Sequence, residues 1–401
     1  MNRLLRISFD ILLTSITPIL GWFLLGILVD KNLISIFSLV YPMQFVISGI
    51  YSIFGTGANI SAVRDKNPNS TFSGLVLGSI TGFLILGAVC LNIDGYIFFM
   101  NMEVGIYRVF ALYAIGQMFL QLLLNLSLCK MYYEGRNKTA NKYCFWFNLI
   151  NFLTLVIMSI ITKEQMIIAI VSITCTSLFV VFMMVKTVKV TRFKINLLSC
   201  IKYDSSYLFA EISMFIIYLF GFKNAFNYGD KYVFAISFAT LITDTQWDIG
   251  GAIKTVAQID IAKKEFSYKE HIKNSMKLTY ILIASSGIMG LILYPFYEVD
   301  LTVVLIVAVM ELACMYKYPI YITKLQFIQL ECSALKATIS KQIANGFRVI
   351  CSFIPSPFCT SIGLVISAIF QLVFTQYLIK KNKLNMEMKE EKTYELANLK
   401  V

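Results

Sequence analysis

Residues 143–185 read YCFWFNLINFLTLVIMSIITKEQMIIAIVSITCTSLFVVFMMV, which are two apolar runs separated by the charged pair Lys163 and Glu164. Each run, 143–162 and 166–185, has the roughly 20 residues that an α-helix needs to cross the hydrocarbon core of a bilayer. A short polar break between two such runs is typical of a helical hairpin. The stretch therefore predicts two consecutive transmembrane helices.

The rest of the chain has the same apolar character. Of its 401 residues, 58% are apolar and 14% are charged, against about 45–50% and 25% in ordinary soluble domains. The mean hydropathy of +0.72 is more than a soluble core of this size could hide. The composition excludes a soluble enzyme, a nucleic-acid-binding protein and a receptor with one span. We predict an all-α polytopic protein whose surroundings are the lipid bilayer.

Apolar runs bounded by turn and charge clusters predict twelve transmembrane helices. The spans lie near residues 9–29, 33–60, 73–93, 104–128, 143–162, 166–185, 206–222, 232–252, 275–293, 301–322, 343–359 and 360–379. The eleventh span is the least regular, because Asn345, Arg348, Pro355 and Pro357 interrupt it.

The placement of lysine and arginine predicts the orientation of these spans. If the N-terminus is cytoplasmic, the segments on the cytoplasmic side hold 28 lysines and arginines, and those on the outer side hold five. This bias follows the positive-inside rule. We therefore predict a multi-pass protein of the plasma (inner) membrane with both termini in the cytoplasm. Topology alone then accounts for the net charge of +12.

The chain divides into two halves of six spans each. A shift of 197 residues aligns the span boundaries of the halves and places Glu134 on Glu331. Six spans per half give both lobes the same orientation, related by a pseudo-two-fold axis along the membrane normal. We predict an N-terminal lobe over 1–190, a C-terminal lobe over 191–379 and a charged cytoplasmic tail over 380–401. The alternative is a twelve-span protein that divides into sixes without a true repeat.

Six ionisable side chains fall deep within the predicted spans, all in the second half: Glu211, Asp244, Asp248, Glu311, Lys317 and Arg348. Charges at this depth are costly, so they usually face a cavity or a charged partner. One hypothesis is that these residues serve transport. The alternative is that the acids form static ion pairs with Lys317 and Arg348. Glu311 lies close enough along its helix to pair with Lys317.

Three of the acids are candidates for binding a cation. Thr240, Asp244 and Asp248 recur every four residues, so they share one face of their helix. Glu211 lies at similar depth in the preceding span. Clustered carboxylates in a site of low dielectric can share a positive ion, so we predict Glu211, Asp244 and Asp248 as cation-coupling residues for H⁺ or Na⁺.

Neutral polar residues follow helical spacing in the first half. They are Gln117, Gln121 and Asn125 in the fourth span, and Asn148 and Asn151 in the fifth. They can line a substrate cavity, or they can bond helices to one another, which is the commoner use of buried amides. We include them among the predicted cavity residues, together with Thr240, Glu311, Lys317, Asn345 and Arg348. Mid-span prolines predict helix bends at Pro18, Pro42 and Pro319.

The sequence gives no sign of catalytic or metal chemistry. The nine cysteines show no framework spacing, and His271 is the only histidine. A zinc site or a Ser-His-Asp triad is therefore excluded in practice. We expect no enzymatic activity, no metal and no cofactor other than the coupling ion.

Four local stretches resemble one transporter family. They are LISIFSLVYPM in span 2, ANISAVRDKNPN after it, YYEGRNKTANKYCFWFNLINFL between spans 4 and 5, and SYLFAEISMF at span 7. The chain resembles the multidrug and toxic compound extrusion (MATE) transporters, whose superfamily also contains polysaccharide and lipid-linked-sugar flippases. The resemblance implies twelve helices in two six-helix lobes with both termini in the cytoplasm. It also implies a cation-coupling role for Glu211.

The chain departs from that family in its first lobe. Many members carry an aspartate in helix 1, where this chain has Gly21, and another in helix 5, where it has Thr154 or Leu155. The usual cation site of the N-terminal lobe is therefore not expected, and coupling should depend on the acids of the C-terminal lobe.

Two functions follow from this sequence. The first is a monomeric secondary active antiporter in which H⁺ or Na⁺ entry drives multidrug efflux, that is, export of an amphipathic or cationic xenobiotic. The alternative is a flippase for lipid-linked oligosaccharide or polysaccharide precursors. Such a flippase needs a basic cavity to hold pyrophosphate, whereas the deep charges comprise four acids and two bases. A membrane-embedded enzyme or a non-transporting scaffold is a third class that lacks support in the sequence.

Overall fold

The computed structural model describes Leu4 and residues 17–67, 69–134, 136–187, 195–262 and 266–384. These residues are almost entirely helical and contain no strand. The helices are α1 (Thr17–Leu28), α2 (Ser35–Tyr51), α3 (Ala58–Arg64), α4 (Asn69–Leu91), α5 (Ile93–Phe99), α6 (Val104–Tyr133), α7 (Asn137–Ile161), α8 (Gln165–Thr187), α9 (Leu197–Phe226), α10 (Asp230–Ala262), α11 (Tyr268–Tyr297), α12 (Leu301–Glu331), α13 (Ala334–Ser352) and α14 (Cys359–Lys381).

Twelve of these units correspond to the predicted spans, with α2 and α3 counted as one helix. Within the described ranges, nine helices are long and apolar enough to cross a membrane. The helices α10 and α13 are not among these nine, because charged and polar residues lower their hydropathy. The helix α1 is a shorter apolar segment, and residues 9–16 of its predicted span lie outside the described ranges. The predicted fold class is confirmed.

The eleventh span was predicted wrongly. Its helix runs over Ala334–Ser352 and not over 343–359. It ends early because Pro355 and Pro357 cannot continue a helix. It begins early because its first turns are polar on one face and therefore escaped a search for apolar runs. The short helix α5 was also not predicted.

Helix positions support the internal repeat. A shift of 197 residues places the first residue of α6, Val104, on the first residue of α12, Leu301. The same shift places Asn137 of α7 on Ala334 of α13. We therefore describe α1–α8 as the N-terminal lobe and α9–α14 as the C-terminal lobe. The predicted boundary at residue 190 lies outside the described residues, as does the tail from residue 385.

The two lobes meet mainly along α2, α3 and α9. A π-helical segment, Ser52–Gly57, joins α2 to α3, and α9 packs against all three. A second contact between the lobes is made by α10 on α2. Among the predicted bend positions, Pro42 lies inside α2, Pro319 inside α12, and Pro18 in α1. Bending at these residues stays a prediction.

Candidate functional site

A cavity of about 980 Å³, here called the central cavity, is enclosed by α1–α3 of one lobe and α9, α10 and α12–α14 of the other. Its charged lining residues are Glu211, Asp244, Lys254, Lys317, Lys341 and Arg348. Its uncharged polar lining includes Gln44, Ser48, Gln326, Gln329, Thr338, Gln342, Asn345, Ser367 and Gln371. Phe37, Tyr41, Phe45, Tyr218, Trp247, Tyr318 and Tyr321 supply aromatic surface.

The described charges that line this cavity are four bases and two acids. Hydropathy predicts four deep acids and two deep bases, because Lys254 and Lys341 fall in predicted cytoplasmic loops. Both lysines instead lie inside helices, α10 and α13, which extend beyond the predicted spans. The charge balance of the wall is therefore more basic than hydropathy alone indicated.

Asp244 joins the two lobes inside the cavity. Tyr41 of α2 donates a hydrogen bond from its hydroxyl to Oδ1 of Asp244 on α10, at 2.8 Å. The ring of Tyr41 also lies 4.8 Å from the ring of Tyr218 on α9 and 6.1 Å from that of Phe222. Tyr41 is 7% exposed, so this polar contact is sealed by aromatic side chains of both lobes.

Glu211 lies at the same interface, on α9. It is 8% exposed and packs against α2 close to Gly49. Ser48 lies beside its carboxylate, and the charges of Lys341 and Lys254 act on it across the cavity. Two of the three predicted coupling acids, Glu211 and Asp244, thus line one cavity. The side chain of the third, Asp248, lies outside the described part of the chain.

Arg348 is buried without an acidic partner among the described side chains. It is 8% exposed, and its Nη2 donates to the hydroxyl of Tyr218 at 3.1 Å. Its Nη1 contacts the sulfur of Met214 at 3.4 Å. Its Nε has no hydrogen-bond partner, and neither has Nδ2 of Asn345, one helical turn earlier on α13.

Glu311 lies on α12 behind the cavity wall. It is 9% exposed, and its carboxylate accepts a hydrogen bond from the Thr243 hydroxyl. Trp247 lies beside it. Thr240 is also buried, at 5% exposed, and neither Thr240 nor Glu311 belongs to the described lining of the cavity.

The predicted pair of Lys317 and Glu311 is not among the described ion pairs. Lys317 lies over the ring of Tyr316, with Nζ 4.5 Å from the ring centroid. The described ion pairs lie away from the cavity: Lys31–Glu298, Arg108–Asp94, Arg136–Glu134 and Lys231–Asp300. Static pairing of the other deep acids stays an open alternative.

A second cavity of about 360 Å³, here called the amide cavity, lies in the N-terminal lobe. All five predicted amides of that lobe line it: Gln117, Gln121, Asn125, Asn148 and Asn151. Some also bond to neighbours, since Tyr113 donates to Asn151 at 2.6 Å and Gln117 donates to Thr176 at 2.8 Å. The amides thus both line a cavity and bond to neighbouring side chains, and a role in substrate binding stays a prediction. The described lining carries no charged residue.

The two cavities are neighbours. Pro18, Phe37, Gln44 and Ser48 line both of them, so α1 and α2 form a shared wall. The resembling family often has aspartates at the positions of Gly21 and of Thr154 or Leu155; of these three residues, Gly21 and Leu155 line the amide cavity. A cation site of the usual kind would therefore lack its carboxylates in this lobe.

The central cavity extends toward one end of the lobes and is closed toward the other. Lys254 and Gln329, near the ends of α10 and α12, belong to its wall. At the opposite end of α10, the Tyr297 hydroxyl donates to the backbone carbonyl of Phe23 across the lobe boundary. The Phe23 ring lies 5.7 Å from Phe238 and 5.8 Å from Tyr297. Tyr297 is completely buried.

Several residues of this site were not predicted from the sequence. Tyr41, Tyr218 and Trp247 resemble ordinary packing aromatics, and no local signal distinguishes them. Lys341, in contrast, precedes Asn345 and Arg348 by four and seven residues, so the three share one helix face. That spacing was a usable signal. Among the described residues, no group of three or more His, Cys, Asp or Glu could hold a metal ion.

These features define an integral membrane protein with two helical lobes around a polar cavity. Several solved structures have the same architecture. The chain matches the outward-facing conformation of a multidrug resistance MATE family transporter of the MOP superfamily over 95% of its length and 96% of that chain. The TM-score is 0.64, at 15% identity.

Two further structures match over 96% of both chains, each with a TM-score of 0.60. One is the inward-facing conformation of a multidrug resistance MATE family transporter, at 14% identity. The other is a MOP superfamily transporter from Pyrococcus furiosus Vc1 (DSM3638), at 13% identity. For that protein, the reverse polarity of the binding pocket is said to suggest a different function. No protein-family model matches the sequence, and no curated protein matches it. The similarity at these identities is one of fold, and it agrees with the predicted resemblance.

Proposed function

We propose that the protein is a secondary active transporter that works by alternating access, with entry of H⁺ or Na⁺ driving export of an amphipathic organic compound. The observation that supports this most directly is the hydrogen bond from Tyr41 to Asp244. It connects the two lobes through an ionisable group that lies inside the cavity between them. Occupancy of that group and the relative position of the lobes are therefore linked.

The coupling step follows from the chemistry of the carboxylate. Ionised Asp244 accepts the Tyr41 hydrogen bond as a charged acceptor, which makes the bond worth about 1.5–3 kcal/mol. A bound proton or Na⁺ neutralises the carboxylate and weakens the hydrogen bond. The difference between a charged and a neutral acceptor, about 1–1.5 kcal/mol, shifts the equilibrium between two lobe arrangements by roughly 5- to 13-fold. Glu211, at the same interface, is the second proposed ion-binding carboxylate, and Asp248 is retained as the third.

Alternating access requires one closed and one accessible end. The aromatic contact of Phe23, Phe238 and Tyr297 closes one end, and the wall that contains Lys254 and Gln329 extends to the other. With the orientation inferred from the positive-inside rule, the accessible end faces the cytoplasm. An exporter loads its substrate from that side. The protein acts as a monomer in the plasma membrane and needs no cofactor beyond the coupling ion.

A second candidate function is a flippase for lipid-linked oligosaccharide or polysaccharide precursors. The observation that favours it is the lining by Lys254, Lys317, Lys341 and Arg348, because a basic wall suits phosphate groups. The neighbouring amides suit the hydroxyls of sugars. Loss of surface polysaccharide on deletion of the gene, with unchanged tolerance of toxic compounds, would favour this function over drug export.

The coupling proposal is tested in vesicles that contain the purified protein. Export of ethidium, which is cationic, and of an anionic amphipathic dye is measured under an imposed proton or Na⁺ gradient for wild type, Asp244→Asn, Glu211→Gln and Tyr41→Phe. We expect a loss of at least tenfold in gradient-driven export for the two acid variants. Tyr41→Phe should retain ion binding and lose only part of the coupling.

Asp94→Asn is the matched control. Asp94 is a half-exposed acid paired with Arg108 at the surface, so its loss should leave export unchanged. Hydrogen exchange of α2 and α10 gives a readout that needs no transported compound. Wild type should exchange faster in these helices at low pH or with added Na⁺, and Asp244→Asn should not respond. Full coupled transport by both acid variants would refute the mechanism.

A further inference from the structure

Arg348 is a buried positive charge whose described neighbours carry no negative charge in direct contact. Its guanidinium touches the Tyr218 hydroxyl and the Met214 sulfur, and it lies 5.4 Å from the Tyr218 ring centroid. Removing an ion from water costs several kcal/mol unless a counter-charge or full hydrogen bonding compensates it. A phenol and a thioether do not supply that compensation.

Two hydrogen-bond donors at this place are unused. Nε of Arg348 and Nδ2 of Asn345 are buried and have no partner. The exposed fractions of the two side chains are 8% and 3%. Residues three apart lie on the same face of a helix, and both residues line the central cavity. Buried donors without partners are rare in folded proteins, so each one requires an explanation.

Glu311 acts on the arginine without direct contact. The two charges lie close enough to interact, but they form no described ion pair, and the described hydrogen-bond partner of Glu311 is the Thr243 hydroxyl. Lys341, one turn before Asn345, adds a further positive charge to the same wall. The electrostatic surroundings of the unused donors therefore favour an anion.

We propose that Arg348 and Asn345 form a subsite for an oxyanion, the phosphate or carboxylate group of the transported compound. The planar guanidinium presents donors that match the two oxygens of such a group, and an amide donor beside it adds a third contact. This inference rests on the proposed transport function and specifies its substrate class: the compound carries an anionic group that enters the C-terminal lobe.

Binding of an oxyanion at the subsite should change contacts at the lobe interface. An oxyanion that binds the guanidinium competes with the Tyr218 hydroxyl for Arg348. The Tyr218 ring lies 4.8 Å from Tyr41 and stacks on Phe45 of the other lobe at 5.2 Å. Release of Tyr218 therefore alters the packing around the Tyr41–Asp244 bond. Substrate and coupling ion would act on the same contact from two sides.

The test measures anion binding directly, without transport. Purified protein in an uncharged detergent is titrated with inorganic pyrophosphate, and heat of binding and melting temperature are recorded at low and high salt. We expect wild type to bind, Arg348→Gln to bind at least tenfold more weakly, and Arg348→Lys to give an intermediate affinity. Asn345→Ala, which keeps the charge, should also weaken binding.

Arg108→Gln is the control, because Arg108 is a half-exposed arginine paired with Asp94 away from the cavity. A parallel titration with short-chain phosphatidylglycerol distinguishes a lipid phosphate from a free one. If binding of either probe depends on Arg348, the subsite is supported, and the probe that binds shows whether the phosphate is free or part of a lipid. Equal affinities of wild type, Arg348→Gln and Asn345→Ala for both probes would overturn it.

Failure of the subsite and failure of the transport mechanism give different results. Asp244→Asn should bind pyrophosphate as wild type does while losing coupled export. If Asp244→Asn transports normally and Arg348→Gln loses binding, the subsite stands and the coupling mechanism fails. If Arg348→Gln does not yield folded protein, Arg348→Lys and Asn345→Ala decide the outcome.

Discussion

The contact between α4 and the π-helical segment should not tolerate a single added methyl group. A Cβ at Gly74 would overlap the backbone carbonyl oxygen of Phe54, and it would lie 2.7 Å from Cβ of Ala58 and 3.0 Å from the Phe54 carbonyl carbon. A backbone atom cannot rotate away as a flexible side chain can. Gly74→Ala must therefore displace α4 from the segment that joins α2 to α3, next to the lobe interface.

The expected cost is at the upper end of that for overpacking, about 3 kcal/mol. At roughly 2–4 °C per kcal/mol for a domain of 150–250 residues, the melting temperature should fall by roughly 6–12 °C. The matched control is Gly87→Ala in the same helix, because no atom lies within 4 Å of a Cβ at Gly87. That variant should equal wild type or gain slightly from helix propensity. Melting of both variants in detergent, followed by size-exclusion chromatography, is the assay. Equal melting temperatures for Gly74→Ala and Gly87→Ala would refute the reasoning.

Three further predictions concern other contacts. Tyr297→Phe removes the hydrogen bond to Phe23 across the lobes, which is worth about 0.5–1.5 kcal/mol. Hydrogen exchange near Phe23 should therefore accelerate about 2- to 10-fold. The control is Tyr228→Phe, which breaks a bond to Pro355 within one lobe and should have no such effect. Gln376→Leu removes the side-chain oxygen that accepts a 2.6 Å hydrogen bond from buried Lys324. The unfolding free energy should fall by about 1.5–3 kcal/mol. The double variant with Lys324→Met should be more stable than Gln376→Leu alone. The hydrogen bond from Lys231, at 2.5 Å, and the backbone N–H of Val303 lower the pKa of Asp300 below its ordinary 3.8. The ionised Asp300 carboxylate thus stabilises the protein above pH 3.8, and this stabilisation is lost as the pH falls through the lowered pKa. The melting temperature of wild type should be slightly above that of Asp300→Asn at pH 7 and equal to it near pH 2.

Hydropathy predicted the membrane helices well because the bilayer imposes one length and one composition on each of them. It located Glu211 and Asp244 for the same reason, since a carboxylate inside an apolar run is conspicuous. It failed where helices extend beyond the hydrocarbon core. Lys254 stands just after one predicted span and Lys341 just before another, so charge counting assigned them to loops, although both line the central cavity. The amphipathic spacing of Lys341, Asn345 and Arg348 carried the missing information.

The partner of Asp244 could not be predicted at all. Tyr41 lies 203 residues earlier in the chain, and the docking of α10 on α2 depends on how two separately folded lobes face each other. Nothing local to LVYPM distinguishes this tyrosine from the many others that pack in apolar surroundings. Likewise, the π-helical segment Ser52–Gly57 follows from its contacts with α4 and α9 and not from a sequence motif.

The asymmetry between the lobes has a mechanistic consequence. The described lining of the amide cavity is uncharged, so it offers hydrogen bonds but no site that a proton or Na⁺ would alter. The central cavity holds acids and bases together, and Asp244 and Arg348 lie on different helices of its wall. An anion at Arg348 and a cation at Asp244 would therefore not compete for one group. Coupling in this protein would depend on two packed tyrosines, because Tyr41 contacts Asp244 and Tyr218 contacts Arg348. Tyr218→Phe should therefore reduce the ion dependence of export more than it reduces ion binding itself.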